Sequence, residues 1–214
     1  MENYKLKSHL VRPYMSKETL DKKDQLAYKL ADLASKNHVI KNDVVDMIIN
    51  RIIDNASVAI ASLNRDTVVH AREQALTHAR ENRGATVFGM PNDFLVHAEW
   101  AAWVNGTAVR ELDYHDTFLA ADYSHPGDNI PPIIAVAQQL GKNGKDIIRA
   151  LAVAYEVHVD LVKGICLHEH KIDHIAHLCP AQAAGIGALL NLDTDTIYQA
   201  IQHAFHVSIS TRQS

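Results

Sequence analysis

The chain has 214 residues, of which 47% are hydrophobic and 21% charged, values typical of a folded globular protein and unlike those of a disordered segment. Its 21 basic and 25 acidic residues leave a formal net charge of −4, which gives no reason to expect a nucleic-acid surface or a polybasic membrane patch. No run approaches the roughly 18 consecutive apolar residues of a transmembrane helix, and residues 1–24 lack an apolar signal core. We therefore expect a soluble, cytoplasmic protein with no nucleic-acid or membrane partner.

Cysteine and histidine are the informative residues of this composition. The two cysteines, Cys166 and Cys179, are too few for a disulfide framework and do not form a C-x-x-C pair. An iron–sulfur cluster of the aconitase type needs three cysteine ligands in one chain, so the two cysteines exclude such a cluster site. Histidine is the most unusual feature, with 14 residues, and imidazoles can serve as acids, bases or metal ligands.

Hydrophobic periodicity predicts helices along most of the chain. Residues 1–24 form a polar lead-in, and from Gln25 apolar residues recur at the spacing of an amphipathic helix. Side chains that commonly cap helices precede several of the later periodic segments. The predicted helices are one from Gln25, one over 44–60 capped by Asn42 or Asp43, one over 67–81 capped by Asp66, one from Asn92 or Asp93 to about Tyr114, one over 131–140, one over 145–162, one over 174–190, and one capped by Thr194 that ends at His206.

Small residues predict close packing between these helices. The segment from Trp100 to Ala108 and the segment before Leu190 are rich in alanine and glycine, which let helix backbones approach one another closely. The Gly185-x-Gly187 pair is interpreted in the same way, as helix packing. Residues 84–91 are predicted to be a loop with one short extended segment. Because no alternating ladder of strand residues is found, the fold class predicted is all-α, a multi-helix, bundle-like domain.

A first candidate site surrounds the end of the helix that is predicted to reach Tyr114. If the helix continued, Asp113 and Thr117 would share one face, with Asp116 beside them. Pro126 excludes the helical conformation at the preceding residue, so His125 could fold back over this helix end. A carboxylate, a hydroxyl and an imidazole at one buried helix end would form a general acid–base site.

The same segment allows two other interpretations. One is an ordinary helix C-terminus with an Arg110–Asp113 ion pair and a solvated turn, because polar residues gather at helix ends. The other is a magnesium site for a pyrophosphate substrate, with Asp113, Asp116, Asp122 and Asp128 as ligands. The segment lacks the adjacent aspartates that helical pyrophosphate enzymes use, which weighs against magnesium.

A second cluster is rich in histidine and comprises His168, His170, Asp173, His174 and His177. Such a set could bind zinc, but no cysteine completes it and no H-E-x-x-H spacing is present. Surface histidines, or a single catalytic histidine among them, are the alternative. The sequence also contains no G-x-x-x-x-G-K and no G-x-G-x-x-G motif. We therefore predict no metal and no cofactor.

Two motifs resemble those of the MmgE/PrpD family. Residues 112–129 contain L-D-x-x-D-T, L-A-A and H-P-x-D-N, and this arrangement resembles the dehydratase form of the family motif. Ile172-Asp173-His174, followed by an alanine-rich helix that ends near Leu192, is similar to the family's second histidine and the helix after it. The resemblance covers roughly residues 25–214.

The resemblance implies the large helical domain of the family and a cluster-free loss of water from 2-methylcitrate in the methylcitrate cycle of propionate catabolism. The partners it implies are a small tricarboxylate substrate and a second copy of the chain, in a homodimer. His125 or Asp113 would transfer the proton, Thr117 would donate a hydrogen bond, and protonated His174 and Arg212 would hold carboxylates. The site residues implied are catalytic Asp113, His125, Thr117 and His174, and substrate-binding Arg212, Asp116 and Asn129.

Family members are about twice as long as this chain. The resemblance places the family's catalytic lysine and its smaller α/β lid domain beyond Ser214, so residues 25–214 are expected to be the helical domain, truncated before the lid. A related polycarboxylate decarboxylase or epimerase, a non-catalytic helical remnant and a histidine-rich metal-binding module are the alternatives that the sequence leaves open.

Overall fold

A computed structural model describes residues 7–209 and residue 211, and this part of the chain is mostly helical. The predicted all-α class is confirmed. The described residues also form a small antiparallel hairpin, β1 (Phe118–Leu119) and β2 (Tyr123–Ser124), in which Leu119 pairs with Tyr123. The helices are α1 (Leu26–Ser35), α2 (Asn42–Ala61), α3 (Asp66–Leu76), α4 (Ala98–Arg110), α5 (Ile130–Leu140), α6 (Gly144–Gly164), α7 (Leu178–Leu190) and α8 (Thr194–Ser208). None of the helices described is both long and apolar enough to cross a membrane.

Several predicted helix caps are wrong by one or more residues. The residue before α2 is Lys41 and the residue before α3 is Arg65, and neither side chain bonds to the helix. Asp43 and Asp66 instead lie inside the first turn, where their charge favours the positive end of the helix dipole. At α8, Asp193 rather than Thr194 is the cap, because its carboxylate accepts the backbone N–H of Thr196.

The segment between α3 and α4 departs most from the prediction. Helix α3 ends at Leu76 rather than near 81, and α4 begins at Ala98 rather than near 92. The intervening chain folds back on itself, and the buried residue Val96 forms isolated β-bridges with both Ala79 and Ala85. Backbone hydrogen bonds to a distant partner therefore replace the helical ones that local periodicity predicts.

The core is built around α7, which packs against α6, α8 and α1. Its glycines permit the close approach that the sequence predicts: a Cβ atom added at Gly185 would lie 2.8 Å from the Cβ of Ala154 and 2.9 Å from Cδ1 of Ile133. Gly187 is equally tight against Ile197. The interpretation of this glycine pair as helix packing is confirmed.

We expect Gly185→Ala to lower the free energy of unfolding by about 1–3 kcal/mol, because the added methyl group overpacks the contact between α6 and α7. Gly106→Ala is the matched control, since Gly106 also lies inside a helix but has no atom within 4 Å of an added Cβ. That control should raise the free energy of unfolding by about 0.5–1 kcal/mol through helix propensity. Urea unfolding of both variants measures the difference, and equal effects would contradict the packing argument.

Two loops bring the predicted site residues to one end of this helical core. The first runs from the end of α4 through the hairpin and a short 3-10 helix, Pro126–Asn129, into α5. The second connects α6 to α7 through two 3-10 turns, His168–His170 and His174–His177. The N–H of Asp122 bonds to the carbonyl of Val162 at 3.1 Å, which attaches the hairpin to the end of α6.

Candidate active site

Asp113 lies in the site, but in a turn after the helix and not on the helix as predicted. Helix α4 ends at Arg110, and Asp113 has a left-handed backbone with φ of 50°, so the predicted helical face shared by Asp113 and Thr117 is wrong. The left-handed turn redirects the chain. One oxygen of Asp113 nevertheless lies within 4.8 Å of ring nitrogens of His115 and His125.

His125 bends back toward Thr117, as the following proline predicts. Its backbone is extended (φ −119°, ψ 83°), and its Nδ1 lies 3.2 Å from Oγ1 of Thr117 and 3.3 Å from the carbonyl oxygen of Asp116. A carbonyl oxygen can only accept, so Nδ1 carries the hydrogen. The lone pair of the neutral ring therefore lies on Nε2, where a proton could be taken up.

Arg110 and Asp128 form the charged edge of the site. Nη1 of Arg110 donates to Nε2 of His115 at 2.8 Å and lies 3.3 Å from Oδ2 of Asp128. Arg110 thus pairs with Asp128, not with Asp113 as in the ion-pair interpretation. Burial raises the pKa of Asp128 to about 6, while burial and then the Arg110 charge lower the pKa of His115 to about 4.

His174 comes from the second loop and completes the group. Its ring centroid lies 5.3 Å from that of His125, and neither ring nitrogen has a hydrogen-bond partner among the described residues. Burial lowers the pKa of both His174 and His125, which favours neutral rings in the unliganded site. The Asp173 carboxylate, 3.5 Å from Nδ1 of His174, acts in the opposite direction on the pKa of His174 and favours the protonated ring expected from the sequence.

Two predicted substrate-binding side chains point into the protein instead. The carboxylate of Asp116 accepts the hydroxyl of Tyr155 at 2.9 Å and lies 3.2 Å from Nη1 of Arg51. Asn129 is fully buried, and its amide donates to the carbonyl of Pro126 and to Nδ1 of His158. These contacts do not fit a substrate-binding role for Asp116 or Asn129. The third predicted binding residue, Arg212, lies outside the described residues.

Asp122, which the sequence analysis considered only as a possible magnesium ligand, has a different position in the site. Its buried carboxylate accepts the N–H groups of Tyr123 and Leu167, both at 2.9 Å, together with Nδ1 of His168 and Nε2 of His177. Burial acts to raise the pKa of Asp122, but these four hydrogen bonds outweigh it and leave the pKa lowered. The carboxylate is therefore ionised and joins the two site loops.

His158 is a buried residue that the sequence analysis missed. It lies on the inner face of α6, where Nε2 bonds to Oγ of Ser124 at 2.7 Å and Nδ1 accepts from Asn129 at 3.0 Å. The position of a histidine on the apolar face of a helix is the signal that could have identified it. Its bond to Ser124 attaches the hairpin to α6.

The histidines that the sequence analysis considered as zinc ligands have other contacts in the described part of the chain. His168 and His177 bond to Asp122, and His170 is exposed. In the described part of the chain, the group close enough to hold an ion is Asp113, His115 and His125. An ion there would compete with Arg110, whose guanidinium already donates to Nε2 of His115, so these residues fit a metal poorly.

A cleft of about 650 Å³ lies beside the Arg110–Asp128 pair and is bordered by α4 and α7. Trp103 and Thr107 line one side of it, and Gln182 lines the other. Since Arg110 and Asp128 contact both this cleft and His115, the cleft offers a route by which a small anion could approach the imidazoles.

The sequence of this chain is similar to one protein-family model and to several known proteins. Residues 24–214 match the model of the MmgE/PrpD N-terminal domain. The chain is 32% identical to a probable 2-methylcitrate dehydratase of Saccharomyces cerevisiae over 117 residues, 49% of this chain and 23% of that protein. It is 24% identical to the 2-methylcitrate dehydratase of Cupriavidus necator over 192 residues (85% and 39%), and 29% identical to that of Salmonella typhimurium over 132 residues (57% and 27%). The matches thus cover less than two fifths of each of these relatives.

Proposed function

The chain belongs to the MmgE/PrpD family, and from that premise we propose that it is a hydro-lyase that removes water from 2-methylcitrate to give 2-methyl-cis-aconitate in propionate catabolism, without an iron–sulfur cluster. The observation that carries the proposal is the position of His125, whose Nδ1 is held by Thr117 and by the Asp116 carbonyl. This leaves Nε2 as the nitrogen that can take up a proton, in a ring that has one nitrogen within 4.8 Å of polar atoms of Asp113 and His115.

The reaction is a β-elimination next to a carboxylate. A base removes the proton from carbon, the C–H electron pair forms the double bond, and the hydroxyl leaves as water after it receives a proton. His125 suits the first step, because burial lowers its pKa and keeps the ring neutral near pH 7, and because the tautomer set by the Asp116 carbonyl leaves Nε2 available.

A tricarboxylate also needs positive charge and hydrogen-bond donors. Arg110 supplies a guanidinium at the edge of the site, and its Asp128 partner has a pKa raised to about 6 by burial. The ring nitrogens of His174 make no hydrogen bond with the described residues, although Nδ1 lies 3.5 Å from the Asp173 carboxylate, and each nitrogen can donate to a substrate carboxylate when the ring is protonated. These groups favour the binding of a substrate with several carboxylates over the binding of an uncharged substrate.

Incubation of the purified chain with 2-methylcitrate tests this function. We expect a rise in ultraviolet absorbance from the new carbon–carbon double bond, with 2-methyl-cis-aconitate as the product detected by mass spectrometry. Release of CO₂ from the substrate would indicate a decarboxylase, and a change of configuration without a double bond would indicate an epimerase. Absence of any turnover would favour a non-catalytic helical domain and contradict the proposal.

A further inference from the structure

His168 is held by Asp122 in a defined orientation. The carboxylate of Asp122 is buried and its pKa is lowered by the hydrogen bonds that it accepts, so it acts as an acceptor. The Nδ1 atom of His168 must therefore carry a hydrogen toward Oδ1 of Asp122. The same carboxylate anchors the N–H of Leu167, the residue before His168, so both the backbone and the ring are fixed.

The other ring nitrogen of His168 has no such partner. Nε2 lies on the side of the ring away from Nδ1, is buried, and makes no hydrogen bond with any residue in 7–209 or 211. The ring lies 4.4 Å from that of Tyr123 and 5.9 Å from that of His174, nearly parallel to the latter. A buried polar atom without a hydrogen-bond partner carries a desolvation cost, and such an atom needs an explanation, of which a bound ligand is one.

We propose that Nε2 of His168, oriented by Asp122, contacts the hydroxyl group that the substrate loses. This inference rests on the proposed dehydratase function, and it names the residue that acts in the second part of the reaction, the loss of the hydroxyl group. The ring centroids of His125 and His168 lie 5.3 Å and 5.9 Å from that of His174, so a substrate held by His174 is within reach of both of these rings. His168 is then the residue that distinguishes a hydroxy acid from the same acid without a hydroxyl, and Asp122 is its positioning residue.

Loss of water needs one group that accepts a proton and one that donates a proton, and these two rings supply both. The neutral Nε2 of His125 takes the proton from carbon, and the C–H electron pair forms the double bond. The C–O bond breaks, and a proton on Nε2 of His168 passes to the leaving oxygen, which departs as water. The step therefore starts with a proton on both ring nitrogens of His168 and on Nδ1 alone of His125, and it ends with these two states exchanged, while Asp122 keeps its charge and its bond to Nδ1 of His168 throughout.

The test compares binding of citrate with binding of tricarballylate, which has the same three carboxylates but no hydroxyl. His168→Asn places an amide nitrogen near the position of Nδ1, so the bond to Asp122 is kept, but it leaves no atom at Nε2. By calorimetry we expect the wild-type chain to bind citrate about 10-fold more tightly than tricarballylate, the scale of one net hydrogen bond. In His168→Asn this preference should disappear, through weaker citrate binding alone.

His170→Asn is the matched control, because His170 lies in the same 3-10 turn, is exposed, and should keep the wild-type preference. Asp122→Asn should lose the preference as His168→Asn does, since the ring is no longer oriented. A His168→Asn chain that keeps the preference for citrate, or that binds both acids more weakly by the same factor, would overturn the inference but leave the proposed function standing. A wild-type chain that binds neither acid would refute the proposed function, and the inference with it.

Discussion

Replacing His125 with alanine is expected to lower the rate of 2-methylcitrate dehydration at least about 100-fold, the usual scale for a general base. The physical reason is the fixed tautomer: Thr117 and the Asp116 carbonyl hold Nδ1, so Nε2 is the atom that can take the proton. Alanine removes both nitrogens and leaves no other group in that position. Steady-state rates measured near pH 7, with substrate in excess, give the comparison.

His203→Ala is the matched control for this prediction. His203 is exposed on α8, so its replacement should leave the rate within about twofold of wild type, as expected for a surface change. Circular dichroism should show the same helical content in both variants. A loss of less than about threefold in His125→Ala would remove His125 from the mechanism and require another base, for which Asp113 is a candidate because its carboxylate lies within 4.8 Å of a ring nitrogen of His125.

Rules about neighbouring residues in the sequence predict one part of the site correctly and another part wrongly. Pro126 predicts an extended His125, and the structure has it. The assumption that a helix continues from Arg110 to Thr117 fails, because the left-handed residue Asp113 ends the helical geometry. Aspartate can adopt this conformation at a small cost, but nothing in the residue spacing indicates which aspartate does so.

Contacts across long sequence distances account for what could not be predicted. Asp122 bonds to His168 and His177, which are 46 and 55 residues away, and Asp116 is taken by Arg51 and Tyr155. No helical or strand period connects such residues. The sequence therefore predicts which residue types gather in a motif, whereas the partners that turn Asp116 inward and fix Asp122 become visible only in the folded chain.

The contrast between local patterns and long-range contacts also explains which helix predictions succeed and which fail. Periodicity places α5 and α6 within about two residues of their observed ends, because both helices bury a continuous apolar face. It fails between α3 and α4, where Val96 bonds to Ala85. Pairing of this kind depends on which strand-like segment lies nearby in space, so propensity cannot decide it.

The free energy of unfolding is expected to fall as the pH is lowered from 7 to 4, and His158 is the main contributor. His158 is 1% exposed, and burial, with a smaller effect from His177, lowers its pKa from 6.5 to about 3. A second proton on the ring would also face the amide of Asn129, which already donates to Nδ1. Protonation therefore favours the unfolded chain, where the ring is in water.

The sign follows from the number of protons bound. Between the folded pKa of about 3 and the unfolded value of 6.5, the unfolded state binds more protons at His158, so stability is full above pH 6.5 and is lost as the pH falls through this window. His115 acts in the same direction, because its folded pKa is about 4. Asp128 acts in the opposite direction, because its pKa is raised to about 6 and its contribution to stability is lost as the pH rises.

Comparison with His158→Gln isolates the contribution of this ring. The glutamine amide can still donate toward Ser124 but does not titrate, so the variant should be less stable at pH 7 yet lose about 3 kcal/mol less than wild type between pH 7 and pH 4. Urea unfolding at the two pH values measures this difference, and the effects of His115 and Asp128 cancel in it. His203→Gln, on the exposed face of α8, should lose as much as wild type. Equal losses in wild type and His158→Gln would show that the buried ring does not resist protonation, and would assign the acid sensitivity to the histidines of the candidate site.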